Sequence, residues 1–189
     1  HLAYIPPEDD LEDILSSDEI DLTGLQYRKG KIILWYFENG RPVYYCTRDM
    51  DSKEFKKAPA DHMHHPIWNV DALYKSEDVV WCEGFFDALS LMELGYQVAG
   101  EITCNLIGKH QQELLRALRF RSKHFPDSEF VICLDNDEPD KDGRRPGNEA
   151  AEKIAMLTLE AGCSACWVKH DPADKKEDIN SLHVEGRER

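Results

Sequence analysis

Carboxylates follow two apolar runs of the sequence, at the point where each run ends. Residues 79–82 are followed by Glu83, and residues 131–134 are followed by Asp135 and Asp137. Short apolar runs are typical of buried strands, and the carboxyl ends of parallel strands meet at one crevice. Clustered carboxylates repel one another unless a cation joins them. Hard oxygen ligands suit Mg²⁺ or Mn²⁺, which share their ligand shell with phosphates, so the pattern indicates phosphoryl transfer or phosphodiester cleavage.

The spacing around these carboxylates supports this interpretation, although each residue also has a simpler one. Gly84 permits a tight strand-to-helix turn and the close approach of a ligand. Asp87 falls where a helix should begin, so it could act as an N-cap. One residue separates Asp135 from Asp137, which places both side chains on the same side of an extended segment. Without a ligand, Glu83 would be a solvated strand end and the aspartate pair a solvent-facing turn.

Strand and helix patterns alternate from residue 79 onwards. Such alternation predicts a parallel sheet with helices on both faces. The predicted strands cover residues 79–82, 97–102, 129–134 and 165–168, and the predicted helices cover 87–94, 109–120 and 148–160. Before this region, residues 31–37 and 42–47 are rich in β-branched and aromatic side chains. Asn39 and Gly40 lie between them, which predicts an antiparallel hairpin.

Composition divides the 189-residue chain into three segments. Residues 1–23 are acidic, with eight acids and no base from Glu8 to Asp21. Residues 24–75 form an expected small subdomain that contains the hairpin, and residues 76–189 form the α/β domain. Because the chain begins at His1, we expect it to be a fragment of a longer protein.

The apolar content of 41% is enough for a folded core, and no stretch reaches the roughly 18 apolar residues of a membrane span. We therefore expect a soluble, cytoplasmic protein with no membrane partner. Cys82 and Cys133 lie within the predicted strands, where a free cysteine behaves as a small hydrophobic residue. This placement is typical of a reducing compartment.

The formal net charge of −14 argues against a nucleic-acid partner, because affinity for phosphates comes from Lys and Arg. The distribution of charge points the other way. Residues 109–123 hold five basic residues against Glu113 alone, a local balance of +4 in which Arg121 is included. Arg116, Arg119 and Lys123 have helical spacing, so we expect them to form one DNA-contacting face.

Three other patterns suggest metal sites of a different kind. Residues 138–149 match a calcium-binding EF-hand loop except for Glu138 at the first position. A strand enters this loop where a helix is required, and Arg144 and Arg145 bring positive charge to it. The Cys163-x-x-Cys166 pair and the histidine cluster of residues 62–65 lack the partners of a zinc site. We expect packing and surface roles for them.

The carboxylate motifs resemble the Toprim domain, which is shared by bacterial primases, topoisomerases, RecR-type repair proteins, OLD-type nucleases and a ribosomal RNA maturation nuclease. The resemblance lies in Glu83-Gly84-x-x-Asp87 followed by Asp135-x-Asp137. A third acidic element, residues 176–180, resembles one that primases carry after their last core strand. The chain departs from the family pattern D-x-D-x-x-G, because residues 138–146 are inserted before Gly147.

The N-terminal half resembles the segment that precedes Toprim in primase catalytic cores, especially those of phage primase-helicases. The similar residues are the hairpin, the Arg48-Asp49 pair and the Phe55-Lys56 pair. The resemblance implies a Toprim-type parallel sheet flanked by helices, with a small mixed α+β N-terminal subdomain. It also implies a DNA primase of a phage or mobile element, which makes short RNA primers by metal-dependent nucleotidyl transfer.

The resemblance, together with the charge pattern of residues 109–123, assigns roles to thirteen residues. Mg²⁺ or Mn²⁺ would be held by Glu83, Asp135, Asp137 and Asp178, with Asp87 and Lys56 as further catalytic residues. Nucleotide would contact Arg48, Lys56, Lys57, Lys109 and Asn180, and DNA would contact Arg116, Arg119 and Lys123. The implied partners are a single-stranded DNA template, ribonucleoside triphosphates and a replicative helicase in cis or in trans. A Toprim nuclease and a non-catalytic Toprim DNA-binding module are the alternatives.

Overall fold

The chain divides into two compact units, residues 1–66 and 67–189. The computed structural model describes residues 2–5, 31–39, 41–49, 51–52, 54–57, 67–101, 106, 108–168 and 178–187. The predicted acidic run, the histidine cluster and the start of the third acidic element lie outside these residues. The three-segment division drawn from composition stays a prediction.

The described residues of the first unit form a four-stranded antiparallel sheet with the order β1-β2-β3-β4. The predicted hairpin is confirmed, because Glu38 pairs with Arg41 across the turn and Asn39 adopts the left-handed conformation (φ 51°). β1 was not predicted, since it lies within the segment interpreted as acidic. The strands are Leu2–Ile5 (β1), Lys31–Glu38 (β2), Arg41–Asp49 (β3) and Phe55–Lys57 (β4).

The second unit is built on a four-stranded parallel sheet with the order β6-β5-β7-β8, which confirms the α/β prediction. Helices connect and flank these strands. The strands are Val79–Cys82 (β5), Val98–Gly100 (β6), Phe130–Cys133 (β7) and Ala165–Trp167 (β8). The helices are Val70–Lys75 (α1), Phe85–Glu93 (α2), Gly108–His124 (α3), Pro146–Glu160 (α4) and Ile179–Arg187 (α5).

The two central strands end level with each other. Cys82 of β5 pairs with Cys133 of β7, and all four residues of β5 are buried. Burial on both faces explains why the strand is a continuous apolar run rather than an alternating one. The residues that follow β5 and β7 therefore emerge side by side at one edge of the sheet.

The main core lies on one face of this sheet. Trp81 and Ile132 point toward it and pack with apolar residues of α1, α3 and α4, such as Leu73, Leu118 and Ile154. The opposite face carries Val80, which shares a cavity with Leu91 of α2. Helix α2 in turn packs against α5. Helices therefore flank both faces, as predicted.

Two helices were not predicted. α1 has only six residues, too few to show a helical period, and α5 follows a segment that we interpreted only for its acids. The start of α4 lies earlier than predicted, at Pro146, because proline is well suited to the first position of a helix.

Among the described residues, no helix is long and apolar enough to cross a membrane.

Arg121 was wrongly counted in the basic face of α3. Its side chain is only 1% exposed, and this burial lowers the pKa of the guanidinium. The guanidinium donates to the carbonyl oxygens of Leu73, Ser76 and Glu77 and to the hydroxyl of Ser128. Arg121 thus provides hydrogen-bond donors to carbonyl oxygens between the end of α1 and the start of β5. Arg121 is therefore unavailable for a contact with DNA, although it still counts in the local charge of +4.

We expect Arg121→Ala to destabilise the protein strongly, because it leaves buried carbonyl oxygens without a donor. The free energy of unfolding should fall by about 2–4 kcal/mol in denaturant titrations. Arg116→Ala is the matched control, since Arg116 is exposed on the same helix, and it should change the value by no more than about 0.5 kcal/mol. Equal effects of the two substitutions would contradict a structural role for Arg121.

Candidate active site

Glu83 and Asp135 lie just beyond the carboxyl ends of the two central strands. Glu83 follows β5 directly, and Asp135 follows β7 after one further residue, Leu134. Both side chains are half-buried. The strand register described above explains why residues more than fifty positions apart in sequence become neighbours. Glu83 and Asp135 therefore lie close enough at this edge of the sheet for their charges to interact.

The electrostatics of Asp135 show how crowded this edge is. Burial and the negative charges of Asp87, Glu83, Asp178 and Asp137 raise the pKa of Asp135 from 3.8 to about 7. Each of these acids was predicted as a site residue. A carboxyl group with this pKa is protonated in about half of the molecules at neutral pH, so the cluster holds less negative charge than its five acids would suggest.

Three of the acids bind backbone amides at the start of a helix. Asp137 accepts from the N–H of Gly147 in α4 at 3.0 Å. Asp178 accepts from the N–H of Ser181 at 2.7 Å, as an N-cap of α5. These bonds satisfy amides that have no partner within the helix, and the positive end of the helix dipole stabilises the carboxylates.

Asp87 also binds a helix start, but not that of its own helix. We expected it to be an N-cap of the helix that it begins. The N-cap of α2 is instead Gly84, and Asp87 lies in the first turn, 7% exposed. Its carboxylate accepts from the N–H of Asn180 in α5 at 2.9 Å. The pKa of Asp87 is nevertheless raised. Burial is the largest cause and the negative charge of Asp178 adds to it, whereas the hydrogen bond from Asn180 lowers the pKa.

Two glycines are required by close approaches in the cluster. A Cβ atom on Gly84 would overlap the carboxylate of Asp87. A Cβ atom on Gly147 would lie 2.5 Å from the carbonyl oxygen of Asp135 and 3.2 Å from Oδ2 of Asp137. Neither position can hold a larger residue without a shift of the acids. This extends the role predicted for Gly84 to Gly147.

The donor set fits a hard divalent cation. Within the described part of the chain, no three carboxylate, imidazole or thiol groups converge on a single point suitable for a metal ion. Mg²⁺ is usually bound through one or two carboxylates, with water and substrate phosphates completing its shell. Burial and then the neighbouring negative charges raise the pKa of Asp135, and a cation would relieve the repulsion between these charges. One or two of the carboxylates of Glu83, Asp135 and Asp137 would hold the cation, with water and phosphate oxygens as the other ligands.

A buried acid–imidazole pair next to Glu83 was missed by sequence reasoning. The carboxyl group of Glu101, which follows β6, contacts Nδ1 of His110 in α3, and their side chains are 5% and 4% exposed. Glu101 and Glu83 line the same two cavities, each of about 10 Å³, which is close to the space of one water molecule. The two residues lie in different elements, so no local motif marks them.

The inserted loop of residues 138–146 is held together by its own side chains rather than arranged around a cation. Asp140 accepts from the N–H groups of Asp142 and Arg144, and its second oxygen pairs with the guanidinium of Arg144 at 3.0 Å. These bonds lower the pKa of Asp140. The carboxylate of Asp140 is thus paired with a positive guanidinium, whereas the calcium-loop alternative requires this carboxylate as a ligand of the cation.

The cysteines behave as packing residues in the described part of the chain. Cys82 and Cys133 are buried and free, as predicted, and burial raises the pKa of Cys133 to about 11. The thiol of Cys163 donates to the carbonyl oxygen of Leu118 at 3.0 Å, whereas Cys166 is exposed on β8. The expected packing role therefore suits Cys163.

The basic residues assigned to nucleotide lie in both units. In the first unit, Arg48 lies over the ring of Phe55 at 5.0 Å, and exposed Lys56 pairs with Glu54 at 3.5 Å. Lys57 is also exposed. In the second unit, Lys109 is exposed in the first turn of α3. Their contacts with nucleotide stay predictions.

Asn180 and the DNA-contacting residues have observed contacts of their own. The side-chain oxygen of Asn180 accepts from the hydroxyl of Ser90 at 3.1 Å, so it links α5 to α2. Arg116, Arg119 and Lys123 are all exposed on α3, as the helical spacing predicted. Arg119 forms a surface ion pair with Glu160 at 3.3 Å. These residues keep their assigned roles as predictions.

Comparison with known protein families gives a match over most of the second unit. The family model described as the Toprim domain matches residues 78–188, more than half of the chain. The match spans every acid of the cluster and the inserted loop. Among the curated proteins compared, none matches this chain.

Removing the charge of Asp135 should stabilise the metal-free protein at neutral and higher pH. The pKa of Asp135 is about 7 in the folded state and about 4 in the unfolded state. Between these pH values the unfolded chain has released the proton while the folded protein still holds it, so the free energy of unfolding falls as the pH rises. We expect Asp135→Asn to raise the free energy of unfolding by about 1–3 kcal/mol at pH 8.

Denaturant titrations from pH 4 to pH 8, in the presence of a chelator, measure this effect. The difference between variant and wild type should grow across this range and vanish toward its acidic end. Asp142→Asn, in the exposed part of the inserted loop, is the control and should show no such growth. A difference for Asp135→Asn that is independent of pH would show that its charge is not the cause.

Proposed function

Because the chain belongs to the Toprim domain family, whose members include primases, nucleases and topoisomerases and are typically metal-dependent enzymes, we propose that it is the catalytic core of a DNA primase. Its reaction would join ribonucleotides on a single-stranded DNA template. The 3′-hydroxyl of one nucleotide would attack the α-phosphate of the next, and pyrophosphate would leave. The observation that carries the proposal is the cluster of five acids around Asp135.

The cluster suits this chemistry through its residues. Glu83 and Asp135, on neighbouring strand ends, and Asp137 would hold Mg²⁺ or Mn²⁺. When bound, such cations neutralise developing charge and align the attacking and leaving oxygens. Asp87 and Asp178 keep their positions through the amides of α5, so they would hold the cluster in place and add negative charge to it.

Residues of the first unit favour a primase over the other Toprim enzymes. Its antiparallel sheet and its Arg48 and Phe55-Lys56 elements are those that resemble the segment before Toprim in primases. Arg48, Lys56 and Lys57 would bind nucleotide phosphates, and Lys109 and Asn180 would do so from the second unit. The exposed residues Arg116, Arg119 and Lys123 would contact the phosphates of the template.

The remaining partners follow from this activity. Ribonucleoside triphosphates and single-stranded DNA are its substrates, and a replicative helicase in cis or in trans would supply the unwound strand. We place the protein in DNA replication, in the cytoplasm, as part of a phage or mobile element.

Mn²⁺ binding tests the assigned ligands. Glu83→Gln and Asp135→Asn should each weaken Mn²⁺ binding at least about tenfold, because each removes a charged oxygen ligand. Electron paramagnetic resonance of free Mn²⁺ measures the affinity. Asp142→Asn, at a ligand position of the calcium-loop alternative, should have no effect. Loss of binding in Asp142→Asn with full binding in Glu83→Gln would move the metal site to the inserted loop.

Primer synthesis tests the activity and the role of Lys56. Ribonucleotides, Mn²⁺ and mixed-sequence single-stranded DNA should yield short RNA. Lys56→Ala should lower the rate about a hundredfold, by analogy with other preorganised groups that stabilise charge in the transition state. Lys153→Ala, at an exposed lysine of α4, is the control and should retain the rate.

Both lysines are exposed, so each substitution should change stability by no more than about 0.5 kcal/mol. Mn²⁺ binding should stay unchanged in both variants. Shortening of labelled DNA without RNA synthesis would identify a nuclease instead. Full primer synthesis by Lys56→Ala would remove Lys56 from the site.

A further inference from the structure

The inserted loop ends in an arginine that lies beside the carboxylate cluster. Nη1 of Arg145 donates to Oδ1 of Asn136 at 3.3 Å and to the carbonyl oxygen of Asp137 at 3.3 Å. Asn136, between the two aspartates, is 2% exposed, and Arg145 is half-buried. The guanidinium is thus held against the segment that carries Asp135 and Asp137.

The loop is closed on itself just before this arginine. The N–H of Asp140 donates to the carbonyl oxygen of Arg144 at 2.8 Å, and the N–H of Gly143 donates to the carbonyl oxygen of Asp140 at 2.9 Å. Gly143 has φ 78°, which a larger side chain would strain. Together with the Asp140–Arg144 ion pair, these bonds return the chain to the end of β7. The chain leaves the aspartates, turns and comes back to them with Arg145.

The two adjacent arginines therefore have different surroundings. The guanidinium of Arg144 is 61% exposed and pairs with Asp140 and Asp142 within the loop. Arg145 reaches the side chain of Asn136 and the main chain of Asp137, and it is the N-cap residue of α4, a helix of 15 residues. The N-terminal amides of α4 reach the same place, because the N–H of Gly147 donates to Asp137. Two sources of positive potential thus adjoin the acids at this point.

We propose that Arg145 binds a phosphate group of the nucleotide substrate. This inference rests on the proposed function and adds a phosphate-binding residue to it. Asp135 and Asp137 are candidate ligands of a cation whose shell would be shared with substrate phosphates, so such phosphates would lie at this edge of the sheet. The planar fork of an arginine matches phosphate oxygens and adds or exchanges hydrogen bonds when a ligand arrives. The inserted loop, which separates this chain from the usual Toprim spacing, thereby acquires a function.

Nucleotide binding by the full chain tests this role. The probes are ATP with Mn²⁺ and inorganic pyrophosphate with Mn²⁺, measured by isothermal titration calorimetry. Arg145→Ala should weaken the binding of both at least about tenfold, since it removes charge-assisted hydrogen bonds to phosphate. Arg145→Lys should bind with intermediate affinity, because lysine keeps the charge but lacks the fork.

Arg144→Ala is the matched control, with an arginine removed one position away, and should bind both probes like the wild type. The affinity for Mn²⁺ alone should stay within about twofold in all three variants. Wild-type affinity for ATP and pyrophosphate in Arg145→Ala would overturn the inference. Equal losses in Arg144→Ala and Arg145→Ala would also overturn it, because loop closure alone would then explain the effect. If Arg145→Ala does not fold, as circular dichroism would show, Arg145→Lys and Arg145→Gln decide by the same comparison.

Primer synthesis separates this inference from the proposed function. Wild-type protein that binds ATP with Mn²⁺ but makes no RNA would contradict the primase, while the binding loss in Arg145→Ala would still support phosphate recognition. Wild-type protein that makes RNA, with an unchanged KM for ATP in Arg145→Ala, would contradict Arg145 alone.

Discussion

The mutual repulsion of five carboxylates at one edge of a parallel sheet is the constraint on which the second unit depends. Burial and these charges together raise the pKa of Asp135 to about 7, so the fold holds this acid where it is costly to ionise. Protonation of Asp135 relieves part of the repulsion. The starts of helices relieve another part, because their N–H groups and dipoles favour negative charge. A divalent cation would relieve what remains.

These same bonds tie the acids to the architecture. Asp137 is bound to the start of α4, and Asp87 and Asp178 are bound to the start of α5. A residue that would serve a metal site therefore also fixes where a helix begins. This double role explains why glycine is needed at 84 and 147, where any side chain would enter the space that the acids occupy. It also means that the loss of one acid should be judged by metal affinity and by stability separately.

Charge is distributed in a similarly specific way among the basic residues. Along α3, Arg121 is buried and satisfies backbone carbonyl oxygens, whereas Arg116 and Arg119 are exposed. In the inserted loop, Arg144 pairs with Asp140, and Arg145 binds the segment that carries Asp135 and Asp137. A net charge of −14 is thus compatible with local positive groups beside a site for phosphates.

The sequence by itself determined the hairpin, the four parallel strands, the helices between them and the edge at which the acids meet. Continuous apolar runs identified β5 and β7, alternation of strands and helices identified the parallel sheet, and Asn39-Gly40 identified the hairpin. These features follow from local periodicity and turn chemistry, so no tertiary contact is needed to predict them. The prediction that Glu83, Asp135 and Asp137 bind a metal rests on residue type and strand order in the same way.

Only the tertiary structure decided which partner each side chain has. Helical spacing placed Arg121 on α3 but could not reveal that it is buried against the carbonyl oxygens of a distant segment. The position of Asp87 suggested an N-cap of its own helix, whereas its partner is Asn180, far along the chain. Glu101 and His110 pair across two elements, and Arg145 returns to the acids through a closed loop. Each of these contacts depends on where separate elements meet in space, and residue pattern within one element carries no information about that meeting.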